Sequence, residues 1–189
     1  MIEFPSVTKF LNELFPIEED RKTIIHYMRQ SIMYPCIAQL PLCLVGTPGC
    51  GKSLFIELFK NILDFYNPRP CAQLRIIDPF RLHNREFTYP WAGRNVVAIE
   101  ADEIPQCTLD VISEIVEKKE IEVTTKNQNP YMTTNTTTWI LLSNKTKNFN
   151  DFNALHSTIK LGKITPSPFI RETLTINEVP EFTYYLKYF

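Results

Sequence analysis

Gly46-Thr47-Pro48-Gly49-Cys50-Gly51-Lys52-Ser53 fits the pattern G-x-x-x-x-G-K-[ST] at every fixed position. Residues of these types at this spacing bind the phosphates of a nucleoside triphosphate. Glycines let successive backbone N–H groups curl round an anion without Cβ clashes. A helix opening directly after the loop adds the positive end of its dipole. Lys52 is then the cation for the β- and γ-phosphates, and the Ser53 hydroxyl is a ligand for Mg²⁺. All eight residues, from Gly46, Thr47, Pro48, Gly49, Cys50 and Gly51 to Lys52 and Ser53, are nucleotide-binding candidates, with ATP and Mg²⁺ as the cofactors implied.

Two further groups have the right chemistry at a distance in sequence. Asn95-Val96-Val97-Ala98-Ile99 reads as a buried strand that ends in acid, Glu100-Ala101-Asp102-Glu103. An apolar strand followed by carboxylates, downstream of a phosphate loop, completes a Mg-nucleotide site: one carboxylate holds the cation largely through water, and a neighbour polarises the attacking water. Glu100 stands at the end of the apolar run and is the principal candidate. Asp102 and Glu103 lie beyond Ala101, and either could support it. Trp139-Ile140-Leu141-Leu142-Ser143-Asn144 is a second buried strand with a polar end. Read alone, Asn144 is a strand exit capped by asparagine; beside the phosphate-loop strand it stands where a γ-phosphate sensor belongs.

The elements that must position these groups follow from periodicity. Leu42-Cys43-Leu44-Val45 is a short buried strand, and the pattern after Ser53 predicts a helix ending near Asn67-Pro68. Upstream, Ser6 is placed to cap a helix carrying Val7, Phe10, Leu11, Leu14 and Phe15, broken by Pro16. Glu18-Glu19-Asp20 then open a second helix, in which His26 reads as an ordinary packed or surface histidine. Downstream, Gln73 to Ile77 reads as a strand, and Phe80, Phe87, Tyr89 and Trp91 are expected to fold an aperiodic segment onto the core. A helix starts at Thr108. Ile121–Thr125 and Thr133–Thr138 flank the polar tip Lys126-Asn127-Gln128-Asn129-Pro130 and read as a hairpin. A short helix over 149–157, a proline-punctuated loop over 164–169 and a last strand at Thr173–Ile176 complete the chain. The tail Tyr184–Phe189 is too apolar for a free end.

The 189 residues, 44% of them hydrophobic and 12% aromatic, suffice for one domain with a core of its own. A net charge of −1 excludes a surface that is basic throughout, so any nucleic-acid contact must be local. No apolar run approaches the roughly 20 residues of a membrane span, and no signal peptide is visible at the N-terminus. The five cysteines include no C-x-x-C pair, and Cys50 lies inside the phosphate loop. That suits reduced thiols in a cytosolic or nuclear compartment, and the sequons at Asn135 and Asn144 then read as incidental.

In order, the chain offers a phosphate loop, an apolar strand with acids, a helix, a lysine-tipped hairpin and an apolar strand ending Ser-Asn. This set resembles the superfamily 3 helicases, AAA+-type motors of small DNA viruses, some RNA viruses, and phage or poxvirus primase–helicases. Gly46–Ser53 looks like their A motif, Val96–Glu103 their B motif, the hairpin with Lys126 their B′ motif and Trp139–Asn144 their motif C. The lead-in Phe10–Pro16 is similar to phage and poxvirus-type members, and the loop and hairpin are equally similar to initiators of small circular single-stranded DNA viruses. Ala101 departs from the family's adjacent pair of acids.

The resemblance implies an α/β, AAA+-like phosphate-loop NTPase with a mostly parallel central sheet flanked by helices. Residues 1–40 would be a helical lead-in, 41–180 the ATPase core and 181–189 a tail. It further implies a homo-oligomeric ring, usually hexameric, with ATP at subunit interfaces and hairpins in a central pore. Lys126, with Asn127, would then follow the phosphates of a single strand, DNA favoured over RNA; otherwise Lys126 is a solvated turn lysine. Arg171 would reach a neighbour's γ-phosphate; otherwise it is a surface arginine. The location implied is the cytoplasm or nucleus of an infected cell. A small-molecule nucleotide kinase would need an arginine-rich lid, and no arginine follows Asn144 before Arg171. A nucleotide-gated scaffold and a picornavirus-like RNA helicase stay open as alternatives.

Overall fold

The computed structural model is described here for residues 4–66, 74–78, 82, 91–92, 94–125, 127–145, 149–150, 152, 155–164 and 177–188. Its centre is a parallel sheet of β1 (Leu42–Val45), β2 (Leu74–Ile77), β3 (Val96–Ala101), β6 (Thr138–Ser143) and β7 (Ser157–Lys160), in the order β2-β3-β6-β1-β7. Among the described residues the α-helices are α1 (Pro5–Leu14), α2 (Glu18–Met33), α3 (Lys52–Tyr66), α4 (Gln106–Val116) and α5 (Val179–Tyr188). A separate antiparallel ribbon pairs β4 (Glu120–Val123) with β5 (Tyr131–Thr134). This is the α/β fold expected from the sequence.

Alternation along the central strands builds two cores. Leu42, Leu44, Val96, Ala98, Ile140, Leu142 and Ile159 face one side, where they meet α1, α2, α3 and α5. Cys43, Val45, Val97, Ile99, Trp139 and Leu141 face the other, against α4, the ribbon, Trp91 and Phe152. Strands buried on both faces read as unbroken apolar runs, which is why β1, β3 and β6 stand out in the sequence. The Tyr27 hydroxyl donates to the Trp139 carbonyl at 3.1 Å, and burial holds its phenol well above the usual range.

Several boundaries differ from the expectation. β3 starts at Val96, not Asn95, and continues to Ala101, because its ladder with β6 runs on through Glu100↔Leu142 and Ala101↔Ser143. α4 begins at Gln106, two residues before Thr108. Of the short helix expected over 149–157, the described residues show 3₁₀ backbone at Phe149 and a turn at Asn150, no helix at Phe152, Leu155 or His156, and Ser157 opening β7; 151, 153 and 154 lie outside the described residues. β7 escapes periodicity because it is a four-residue edge strand in which only Ile159 is buried. The expected strand Thr173–Ile176, most of the aromatic segment and most of the proline-punctuated loop lie outside the described residues.

Ser6 does not cap α1: the helix starts at Pro5 with no side-chain cap from its own N-terminus. Glu178, just ahead of α5, supplies the acceptors instead. Its carboxylate oxygens accept from the Ser6 N–H at 3.1 Å and the Val7 N–H at 2.9 Å. α5 itself buries Val179, Phe182 and Leu186 in the core it shares with α3, and the Phe182 ring packs on Phe4. Glu178→Ala is therefore expected to lower unfolding stability by about 1–2 kcal/mol, the value of a helix cap, while Ser6→Ala changes little. Denaturant midpoints at constant m-value measure both; equal midpoints for wild type and Glu178→Ala would contradict the cap.

Candidate active site

The functional side chains gather at the C-terminal edge of β1, β3 and β6. β6 lies between the other two, with Val45 and Ala101 both in register with Ser143. The chain leaves β1 at Gly46, whose N–H donates to the Ser143 carbonyl at 3.1 Å. It turns through Thr47–Cys50, closed by the Cys50 N–H on the Thr47 carbonyl at 3.2 Å, and enters α3 at Lys52. Gly51 has φ +115°, a region that side chains disfavour, and a Cβ there would also press on Ile164 at 3.2 Å. Gly46 is required by close approach, since a Cβ would meet the Cys50 sulfur at 2.6 Å and Leu161 Cβ at 2.9 Å.

Lys52 is 93% buried by the loop it serves, with 7% of its surface exposed. Its Nζ donates to the carbonyls of Gly46 at 2.8 Å and Thr47 at 3.1 Å, and to Asn144 Oδ1 at 2.6 Å. Asn144 turns its other amide atom to the acids, its Nδ2 donating to Asp102 Oδ1. One asparagine thus spans the phosphate-loop lysine and a carboxylate from the neighbouring strand. The Ser53 hydroxyl donates to Glu100 Oε1 at 2.7 Å. These groups line a cleft of about 530 Å³ with Pro48, Gly49, Gly51 and Ala101.

The three acids part company here. Glu100 meets Ser53 and Asp102 meets Asn144, both in the cleft. Glu103 is outside it: its Oε2 accepts from Lys145 Nζ at 2.5 Å, and the ammonium holds this exposed carboxyl below the usual range. The sequence left Asp102 and Glu103 equivalent. No local signal separates them, because Lys145 meets Glu103 only after folding.

An oxygen donor set of one hydroxyl and one carboxylate suits Mg²⁺, which keeps several waters and takes its remaining ligands from substrate phosphates. Ser53 and Glu100, with oxygens 2.7 Å apart, fit that requirement. The loop N–H groups and the N-terminus of α3 fit a polyphosphate.

The ribbon is anchored beneath α4. Asn135 donates through Nδ2 to the carbonyls of Ile115 at 2.8 Å and Lys118 at 3.0 Å, satisfying groups at the end of that helix. This role for a residue of an incidental sequon was not visible from sequence. At the tip, exposed Asn127 takes φ +63°, a conformation asparagine tolerates. Lys126 beside it and Arg171 both lie outside the described residues. Among the described residues no helix is long and apolar enough to cross a membrane.

Comparison with solved structures finds the same fold in the C-terminal region of NrS-1 and in JCV helicase. The apo C-terminal region of NrS-1 superimposes with a TM-score of 0.80 at 17% identity, over 98% of this chain and 46% of that one. A second apo structure of that region gives 0.78 and 16%, over 100% and 47%. JCV helicase, solved with an N-phenylacetamide compound, gives 0.56 at 12%, over 94% and 50%. At these identities the likeness is one of fold, a helicase-like α/β architecture, and the chain spans about half the length of each. No curated protein sequence matches it. A family model does, over residues 44–157, from the end of β1 to the start of β7. That segment carries the phosphate loop, the acids and Asn144, and by it the chain belongs to the family of unknown function DUF5906.

Proposed function

We propose that this chain is the ATP-hydrolysing motor domain of a nucleic-acid helicase or translocase of the superfamily 3 type, from a viral or mobile-element replication protein. It works as a homo-oligomeric ring, hexameric in the family it resembles, with residues 41–180 as the core and ATP at subunit interfaces, in the cytoplasm or nucleus of an infected cell. The observation that carries this reading is the convergence of Lys52, Ser53, Glu100, Asp102 and Asn144 on one cleft, from β1, β3 and β6. The fold shared with JCV helicase supports it.

Each residue has a task its surroundings suit. Lys52, drawn in by the carbonyls of Gly46 and Thr47, places a cation where phosphate oxygens gather. Ser53 and Glu100 would hold Mg²⁺, which when bound neutralises phosphate charge and orders water around the scissile anhydride. Asp102 supports Glu100 by polarising water, and Asn144 fixes Asp102 relative to Lys52. Glu103 is left in an ion pair that is worth little on so exposed a surface.

Because Glu100 rather than Asp102 touches Ser53, Glu100→Gln is expected to reduce kcat about 10²–10³-fold, the loss when one preorganised electrostatic group is removed, and Asp102→Asn distinctly less. Steady-state turnover measures both, and the reverse order would make Asp102 the principal acid.

Stimulation by single strands separates the motor from a kinase or a scaffold. Oligonucleotide should raise steady ATP turnover, with single-stranded DNA more effective than RNA. Lys126→Ala should weaken strand affinity and flatten its salt dependence, since each phosphate contact contributes to the slope. Turnover indifferent to nucleic acid would sink the motor reading and favour a nucleotide-gated scaffold.

A further inference from the structure

We infer that Ser143 is a positioning residue for the proposed hydrolysis, acting through Asn144 and Asp102 by means of its hydroxyl. This rests on the functional reading above and adds a residue to it.

Ser143 ends β6 and is fully buried, at 0% exposure. It stands where the parts of the site meet. Its carbonyl accepts the Gly46 N–H at 3.1 Å, at the root of the phosphate loop. Its hydroxyl donates to the Asp102 carbonyl at 3.0 Å and accepts the Lys145 N–H at 3.1 Å. One Oγ therefore ties the turn after β3 to the chain on the far side of Asn144.

The need for such a tie follows from where the ladder stops. The last register pairs on this edge are Val45↔Ser143 and Ala101↔Ser143. Beyond them no strand pairing among the described residues fixes the backbone, yet the groups that matter, Asp102 and Asn144, lie one residue past the ladder. The Asn144 N–H reaches the Asp102 carbonyl only at 3.3 Å, a weak bond alone. The Ser143 hydroxyl strengthens that junction and pins Lys145, so both flanks of Asn144 are held. Its amide is then set between Lys52 and Asp102. Alanine would leave the strand and its core packing in place, since the side chain loses a single atom, but would release this junction.

Misplacement of a catalytic group by about 1 Å can lower a rate ~10²-fold. Ser143→Ala is thus expected to lower kcat for ATP hydrolysis about 10–10²-fold, with ATP affinity held within roughly twofold. Ser143→Thr, which keeps the hydroxyl, should recover most of the rate. A double-mutant cycle distinguishes positioning from plain structural support. If Ser143 works through Asn144, Ser143→Ala adds nothing to the loss in Asn144→Ala; an independent effect multiplies. Thermal midpoints recorded alongside show whether any variant is unfolded, and the cycle is read at a temperature well below the lowest of them.

Non-additive loss, with kcat rather than affinity affected, supports the assignment. An unchanged kcat in Ser143→Ala, or a fully multiplicative double variant, overturns it while leaving the hydrolysis reading intact. A wild-type chain that neither binds nor hydrolyses ATP overturns that reading and this inference together.

Discussion

Lys52→Ala is expected to lower ATP hydrolysis at least ~10²-fold, the loss typical when one preorganised electrostatic group is removed from a reacting centre, and to leave the fold intact. Among the described residues lining the cleft the ammonium is the one cation, and it is held there by three oxygens, two from the loop and one from Asn144. Truncation removes charge at the phosphates and also frees Asn144 from one of its two partners. The cores on either face of the sheet are built from other residues, so cooperative unfolding should persist. Phosphate release and a thermal scan on the same preparation measure the two halves of the expectation. Wild-type turnover in the variant would remove the loop from the chemistry.

Arg171→Ala is expected to be nearly inactive alone, since an arginine finger is worth about 10³–10⁵ in rate, and to regain activity when mixed with Lys52→Ala. The motivation is its place in sequence after Asn144, where the family resemblance puts the arginine that reaches a neighbour's nucleotide. In a mixed assembly, some interfaces pair a sound phosphate loop from one subunit with a sound arginine from the next. An arginine acting within its own subunit could never be supplied that way. Partial ATPase on mixing, with mixed assembly verified by mass, is the expected result. Absence of rescue in such assemblies would count against a trans role.

The strand–loop–helix unit around Lys52 was legible because its motif specifies residue type at each fixed position and the strand before it is buried on both faces. β6 was legible for the same reason, and with it the place of Asn144. What sequence could not supply was pairing between distant segments. Glu178 caps α1 from 171–172 residues away, whereas a local reading assigned the task to Ser6, the nearest hydroxyl. Glu103 and Lys145 are 42 residues apart, so the feature that takes Glu103 out of the cleft exists only after folding. The end of β3 was misjudged because hydrophobicity stops at Ile99 while backbone pairing continues to Ala101. β7 was missed because an edge strand with one buried side chain has almost no apolar signature.

Calorimetric titration of the wild-type chain with ATP, in the presence and absence of Mg²⁺, tests the central claim most directly, that this cleft is a Mg-nucleotide site. The account predicts saturable binding at one site per chain, strengthened by Mg²⁺. Glu100→Ala should reduce the Mg²⁺ contribution, because its oxygen lies 2.7 Å from the Ser53 hydroxyl, and Glu103→Ala should not, because Glu103 faces Lys145 outside the cleft. No saturable binding, or binding whose Mg²⁺ dependence is lost with Glu103 and kept without Glu100, would contradict it.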